Sequence, residues 1–323
     1  MALFTRLADP DVAELAGEFA LGALRGVQPI QAGTINSNFA VDTDRGAWFV
    51  RVNEGKSEAD VAWEAQLVAA LAAGGVVTPP PVAARDGRPY ARLGATDKWV
   101  SVFPWRPGRH LGADEITPEV AGEFGAALAR LHAIGLDLPV AWRRRSIYDH
   151  DHLAARYAGF ASSADPALAR AIAVLGEELA AAAAARAVRE RATHGLIHGD
   201  LFRDNVLWDG GRLVAILDFE QASGGSFAYD LAVCINDWCW TGVVRLDLAA
   251  ALLAGYERVR SLTPADREAL VIEVRAAAAR FTITRITDVY LARVDNPDKD
   301  FRAFLARCDA WRGSNLGHFT SLL

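Results

Sequence analysis

Cysteine is scarce and never closely spaced. Cys234, Cys239 and Cys308 are the three thiols of a 323-residue chain, and none forms a Cys-x-x-Cys pair. Neither a disulfide framework nor a zinc site is expected, and the thiols read as core residues of a reducing compartment. Long apolar runs are missing too. Nothing reaches the roughly 18 residues of a membrane span, and the Ala-rich stretch 177–187 is flanked and interrupted by Glu and Arg. Met1 to Asp9 lacks the basic-then-apolar layout of a secretory leader. A cytoplasmic protein with no membrane partner is expected. Basic charge is not in excess: the net charge is −6, with no basic stripe, which argues against a nucleic-acid partner. No internal repeat is evident. A 52% hydrophobic content excludes disorder, and the length suffices for two lobes with separate cores. Oligomeric state leaves no trace in the sequence.

The chain is organised around Leu196–Trp208 and the following Leu213–Phe219. Leu196-Ile197, Val206-Leu207-Trp208 and Val214–Leu217 are short β-prone runs, with Asp209-Gly210-Gly211 as a hairpin turn. His198, Asp200, Asp204, Asn205 and Asp218 therefore fall at strand edges and in one tight loop, where polar side chains are costly unless they bind something. Phosphoryl transfer requires such a set. One Asp receives the acceptor's proton, an Asn five residues on and an Asp after the next strand hold the metal, and positioning does the rest. Asp200, Asn205 and Asp218 have that spacing.

With Gly199 after His198 and Asp218-Phe219-Glu220 after the second strand, the stretch resembles the small-molecule kinases of protein-kinase-like fold, among them aminoglycoside phosphotransferases, choline kinases and type II homoserine kinases. The resemblance implies an α+β, two-lobed fold: a small antiparallel β lobe with one helix (1–103), a hinge (104–108) and a larger, mainly helical lobe (109–323). It also implies ATP and Mg²⁺ as cofactors and a small-molecule alcohol as partner.

In the first lobe, Asp9 caps and Pro10 opens a helix over 10–24, and strands are expected at 27–31, 38–41 and 48–52. The small residues between the first two, Gly33 with Asn36 and Ser37, are placed to lay backbone N–H groups on phosphates. Arg51 occupies the slot where kinases carry a phosphate-binding Lys, and an Arg there can clamp two phosphate oxygens. Glu64, on an amphipathic helix over 58–72, stands where its pairing Glu belongs, with Glu58 as the alternative. A hairpin is expected about Asp86-Gly87, with arms 82–84 and 90–93. The strand 98–103 then leads to a hinge whose backbone at Val102, Phe103 and Trp105 would meet adenine.

In the second lobe, Thr117 caps a helix over 117–134, ending in His132, which reads as structural. Residues 140–193 are a helical insertion. Its Arg143-Arg144-Arg145 reads as a solvated face, and His150-Asp151-His152 has the wrong spacing for a metal pair on one helix face. The connector from Glu220 to Tyr229 is short and lacks an Ala-Pro-Glu triplet, which argues against a protein substrate. A helix is expected from Asp230 to Trp238, and the resemblance implies that Asp230 braces the catalytic loop while His198 is structural. Asp237, two helical turns on, shares the face of Asp230. Helices over 246–260, 264–291 and about 298–312 complete the chain.

For the acceptor, Asp200–Val206, Tyr229–Cys239, Arg280-Phe281 with Thr284-Arg285, and Pro297-Asp298 with Phe301 resemble type II homoserine kinases. Departures from that pattern stand at Arg51, Arg203 and Asp237. The likeness implies L-homoserine as acceptor, in a pathway to threonine. A zwitterion needs a cation for its carboxylate, from Arg280 or Arg285, and an acid for its amine, from Asp204 or Asp237; Asn36 also counts as a contact. Arg280 and Arg285 are five apart, so a regular helix points them in different directions. The alternatives are a sibling kinase acting on an aminoglycoside, choline or another small alcohol, and a non-catalytic nucleotide-binding regulatory module.

Overall fold

A computed structural model describes residues 5–30, 36–94 and 96–323. The chain divides into two compact units, Met1–Arg109 with Val214–Glu220, and His110–Leu213 with Gln221–Leu323. The segment Val214–Glu220, assigned from the sequence to the second lobe, thus packs within the first unit. Ile216 N–H donates to Val77 O at 2.7 Å there.

The first unit begins with α1 (Asp9–Glu18). The helix stops short of the expected residue 24 because Ala20 and Gly22 take positive φ of 53° and 100°. Strands β1 (Leu24–Ile30), β2 (Ser37–Thr43) and β3 (Gly46–Asn53) form an antiparallel meander, followed by α2 (Glu58–Ala73), capped by Ser57. β4 is only Ala91–Arg92, and β5 (Trp99–Pro104) pairs with both β3 and β4, giving the sheet order β1-β2-β3-β5-β4. The expected hairpin about Asp86-Gly87 lacks its first arm. Ala84 N–H turns back to Arg88 O at 2.8 Å, and Val82 N–H is spent on Val102 O. The core of this unit joins Val12, Leu15 and Phe19 of α1 to Phe39, Val41, Val50, Val52, Val100 and Val102 of the sheet. From Val50 to Asn53 every residue of β3 is buried, Arg51 included, because both faces of that strand are covered.

The second unit opens with α3 (Pro118–Asp137), α4 (His150–Ala158), α5 (Ala169–Ala184) and α6 (Arg186–Arg191). β6 (His194–Ile197) leads into the loop that carries His198 to Asn205. β7 (Val206–Asp209) and β8 (Arg212–Ile216) make a hairpin over Gly210 and Gly211, both at positive φ. β9 (Ser223–Ser226) pairs antiparallel with β6. Helices α7 (Phe227–Trp238), α8 (Leu246–Glu257), α9 (Pro264–Arg285), α10 (Arg302–Arg312) and α11 (Ser314–Thr320) complete it. Three boundaries differ from expectation. α7, capped by Ser226, begins at Phe227, three residues before Asp230, α9 gives way to a π-helical turn at Ile286–Tyr290, and α10 begins only at Arg302. α3 and α8 cross with their backbones in contact: a Cβ on Gly255 would stand 2.0 Å from Gly122 O. The insertion is fastened to α9 by ion pairs, Arg189 with buried Glu273 and Arg275 with buried Glu178, each at 2.9 Å.

Candidate active site

In the first unit, Arg51 is the centre of a closed charge cluster. Its Nη2 meets Glu64 Oε1 at 2.7 Å, and its Nη1 lies 3.3 Å from Glu220 Oε1 and 3.7 Å from Asp218 Oδ1. Lys56 joins, 2.8 Å from Glu220 and 3.3 Å from Glu64. Burial opposes charge on the Arg51 guanidinium, but Glu64, Glu220 and Asp218 outweigh it and hold its pKa above the ordinary value. Burial likewise opposes ionisation of Glu64, and Arg51 with Lys56 overcomes it, leaving that carboxyl below its usual range.

Asn36 is drawn in as well: its amide donates to Glu220 and accepts from Glu54 N–H at 3.2 Å. Ser37 Oγ donates to Glu54 at 2.8 Å. Gly33 lies outside the described residues. Val102 O and Trp105 N–H, two of the groups expected to meet adenine, are already bonded to Val82 N–H and Ala47 O. Phe103 sits in register with Phe49 on β3, and Glu58 pairs with Arg88.

Asp218 differs from the rest of this cluster. Its side chain is 47% exposed and its backbone sits at φ 62°, a left-handed conformation that costs a non-glycine residue energy and recurs at functional sites. Counting Arg51 and Lys56 against Glu64, Glu220 and Asp218 gives two positive and three negative charges, a net of −1. A phosphate chain brought to a net-negative cluster requires a cation, and the exposed oxygens of Asp218 are the hard donors that Mg²⁺ prefers.

In the second unit, one face of α7 holds the loop after β6 by its backbone. Asp230, wholly buried, accepts from His198 N–H at 2.8 Å and Gly199 N–H at 2.7 Å. Trp238 Nε1–H donates to Leu201 O at 3.1 Å, and Asp237 accepts from Arg203 N–H at 2.8 Å. Gly199 is required where it stands: φ is +77°, and a Cβ would meet Gln221 O at 3.2 Å. Phe202 packs its ring on Phe281 and Phe304 at 4.5 and 5.7 Å. Asn205 closes the loop, donating from Nδ2 to Asp200 O at 2.8 Å, which leaves its side-chain oxygen available.

His132 completes the brace. Asp230 can only accept, so the His132 proton sits on Nε2, 3.0 Å away, and Nδ1 accepts from Tyr256 O–H at 2.8 Å. Burial lowers the His132 pKa and keeps the ring neutral. Burial works the other way on Asp230, where the His132 hydrogen bond prevails and holds the carboxyl below its ordinary value.

The Asp200 side chain is partly exposed, at 32%. Arg280, on α9, places Nη1 3.3 Å from Asp200 Oδ1 and stacks on Tyr148 and Phe281 at 4.0 and 3.7 Å. Asp237 is committed to Arg203, whose Nε lies 3.1 Å away. Asp204 is open to water and makes no hydrogen bond or ion pair among the described residues. Protein around it, then Asp237 and Asp200, push its pKa up. Arg285 donates to Asp300 O at 3.1 Å and stacks on Phe304 at 4.5 Å.

Sequence reasoning did not find Lys56, Tyr148 or the role of Glu220. Lys56 precedes a helix cap and Tyr148 lies in a loop of the insertion, so neither carried a local signal. Glu220 was visible as the third residue of Asp218-Phe219-Glu220, but its partner Arg51 is 169 positions away.

Comparison with known proteins accords with this geometry. Residues 26–262 match the phosphotransferase enzyme family (APH). The homoserine kinase of Methylobacterium radiotolerans is 38% identical over 293 residues, covering 89% of this chain and 88% of its own. That of Parvibaculum lavamentivorans is 32% identical over 97% of both chains. Among solved structures, amicoumacin kinase hAmiN, in complex with AMP-PNP, Ca²⁺ and Ami, superposes with a TM-score of 0.73 at 15% identity, covering 95% of this chain and 94% of its own. A microcompartment-associated aminopropanol kinase does so at 0.68 and 20% identity, over 98% and 100%. The shared fold is α+β and protein-kinase-like.

Proposed function

The chain belongs to the phosphotransferase enzyme family and is an alcohol-acceptor phosphotransferase, and from that premise we propose that it moves the terminal phosphoryl group of ATP to the hydroxyl of L-homoserine, forming O-phospho-L-homoserine for threonine synthesis in the cytoplasm. The observation that carries this acceptor is the charge pattern around Asp200. Arg285 and Asp204 bring opposite charges near Asp200, and neither makes an ion pair within hydrogen-bonding reach among the described residues, although Lys299 and His110 act on Asp204 from further off. A zwitterion answers both. A polycationic aminoglycoside would be repelled by the arginines, and choline offers nothing to them. The names of the curated relatives support the same reading.

In this reading Asp200 orients the acceptor hydroxyl and receives its proton late in an in-line transfer. Such assistance is worth roughly 10²–10⁴-fold. Arg51, fixed by Glu64, holds phosphate oxygens. Asn205 and Asp218 are the oxygen donors for Mg²⁺, which when bound neutralises charge on the phosphates. The brace from α7 keeps Asp200 from drifting, since a misplacement of about 1 Å costs on the order of 10²-fold.

The test is a product-detected kinase assay with L-homoserine beside kanamycin, choline and methylthioribose, each with ATP and Mg²⁺. Homoserine is expected to have the highest kcat/KM by at least about 100-fold, as a site built for polar groups rejects acceptors that lack them. A better rate with any of the others would refute the acceptor. Nucleotide binding without product from any alcohol would instead mark a regulatory module.

A further inference from the structure

Arg280 and Arg285 lie on one helix, both largely buried, and their surroundings differ in kind. Arg280 is 4% exposed, its charge is paired with Asp200, and its guanidinium lies against the rings of Tyr148 and Phe281. Tyr148 is itself flanked on its other contact by Arg156, 5.6 Å away, which pairs with Asp288 at 2.6 Å. The Arg280 Nε is buried with no partner among the described residues.

Arg285 is the last residue of α9, where the helix passes into its π-helical turn. Such turns recur at functional sites because they redirect side chains. Its guanidinium has one hydrogen bond, to a backbone carbonyl, and a ring beneath it. No carboxylate pairs with it among the described residues, and the residue is partly exposed. Burial lowers its pKa, Asp237, Asp200 and Asp204 oppose this, and Arg280 adds to it. A cation so placed gains by meeting an anion, and the planar fork fits a carboxylate. On the other side Asp204 is the acid left unpaired, because Asp237 is spent on Arg203.

We propose that Arg285 holds the acceptor's carboxylate and Asp204 its ammonium group, and that Arg280 is a positioning residue that fixes Asp200. This assignment rests on the homoserine reading and divides labour within it. Selectivity for an amino-acid alcohol then comes from Arg285 and Asp204, while Arg280 serves every acceptor alike.

The experiment compares L-homoserine with 3-aminopropan-1-ol, which lacks only the carboxylate, and with 4-hydroxybutanoate, which lacks only the amine. Each variant is measured on one preparation with all three alcohols, so any loss of folded protein cancels in the ratio of kcat/KM values. In Arg285→Ala the homoserine to 3-aminopropan-1-ol ratio is expected to fall by roughly 30- to 1000-fold, with Arg285→Lys in between. In Asp204→Asn the homoserine to 4-hydroxybutanoate ratio is expected to fall similarly. Arg280→Lys is expected to lower kcat with homoserine and 3-aminopropan-1-ol by the same factor and keep their ratio. An unchanged ratio in Arg285→Ala, or a collapsed ratio in Arg280→Lys, overturns the assignment while leaving the homoserine reading intact. A wild-type enzyme that shows no preference for homoserine over 3-aminopropan-1-ol overturns both.

Discussion

Arg51 in the first unit and Arg285 in the second are both desolvated guanidinium groups, and they have been treated in opposite ways. Arg51 is surrounded by three carboxylates and helped by Lys56, so its charge is over-compensated. Arg285 has a carbonyl oxygen and a phenyl ring. A buried cation with its carboxylates in place is a structural anchor, and its removal strands the anions. A buried cation without them can take an anion without giving one up. The first unit therefore presents a net-negative charge cluster, and the second an arginine that forms no ion pair among the described residues.

The sharpest way to break this division is to remove one acid from each side. Asp200→Ala is expected to cut turnover by roughly 10³–10⁴-fold while leaving the thermal shift produced by MgATP unchanged. Asp218→Ala is expected to abolish turnover and weaken metal-dependent nucleotide binding together, read by calorimetry with and without Mg²⁺. Near-normal rates in Asp218→Ala, or lost nucleotide binding in Asp200→Ala, would contradict the split.

Next in size is the anchor itself. Arg51→Met leaves Glu64 without its nearest cation and Glu220 with Lys56 alone, and unfolding in urea should show a loss of about 3–5 kcal/mol. Arg51→Lys should recover part of that, since it restores the charge without the fork. The matching prediction for the second unit's scaffold is smaller. Asp230→Asn keeps the shape of the brace and removes its charge, so kcat should fall on the order of 10²-fold through misplacement of Asp200, with KM for ATP little changed.

The smallest effect is in pH. His132 has a folded pKa below its unfolded value of about 6.5, so the unfolded chain takes up the proton first and stability falls as pH drops below that point, by at most about 1.4 kcal/mol per pH unit. Asp230 and Glu64, both depressed in the folded state, continue the loss at more acidic pH as they are protonated. Urea titrations from pH 7 to 5 on wild type and His132→Gln should differ by a flatter upper limb in the variant; identical slopes would remove His132 from the account.

Much of the site was legible because it is local. His198-Gly199-Asp200 and Asn205 lie within one loop whose shape follows from short strands and a glycine that must turn left-handed. The helical phase of Asp230 and Asp237 could be counted directly. Strand and helix order in the first unit was likewise readable, because caps and turn residues act on their nearest neighbours. The errors had equally local causes, such as a positive φ at Ala20 that no composition announces, or an α-to-π transition after Arg285 that periodicity does not reveal.

By itself, then, the amino-acid order determined which loop and which acids and amide form the candidate site, and that two arginines on α9 point in different directions. Only the tertiary structure decided what each of them faces. Glu220 reaches Arg51 across 169 positions, Arg280 reaches Asp200 across 80, and Asp237 is claimed by Arg203 rather than left open. The physical reason is that helical phase states the direction of a side chain relative to its own axis. The identity of the group lying in that direction depends on the packing of elements distant in sequence, and in a buried setting that group determines whether a charge is an anchor or a binding contact.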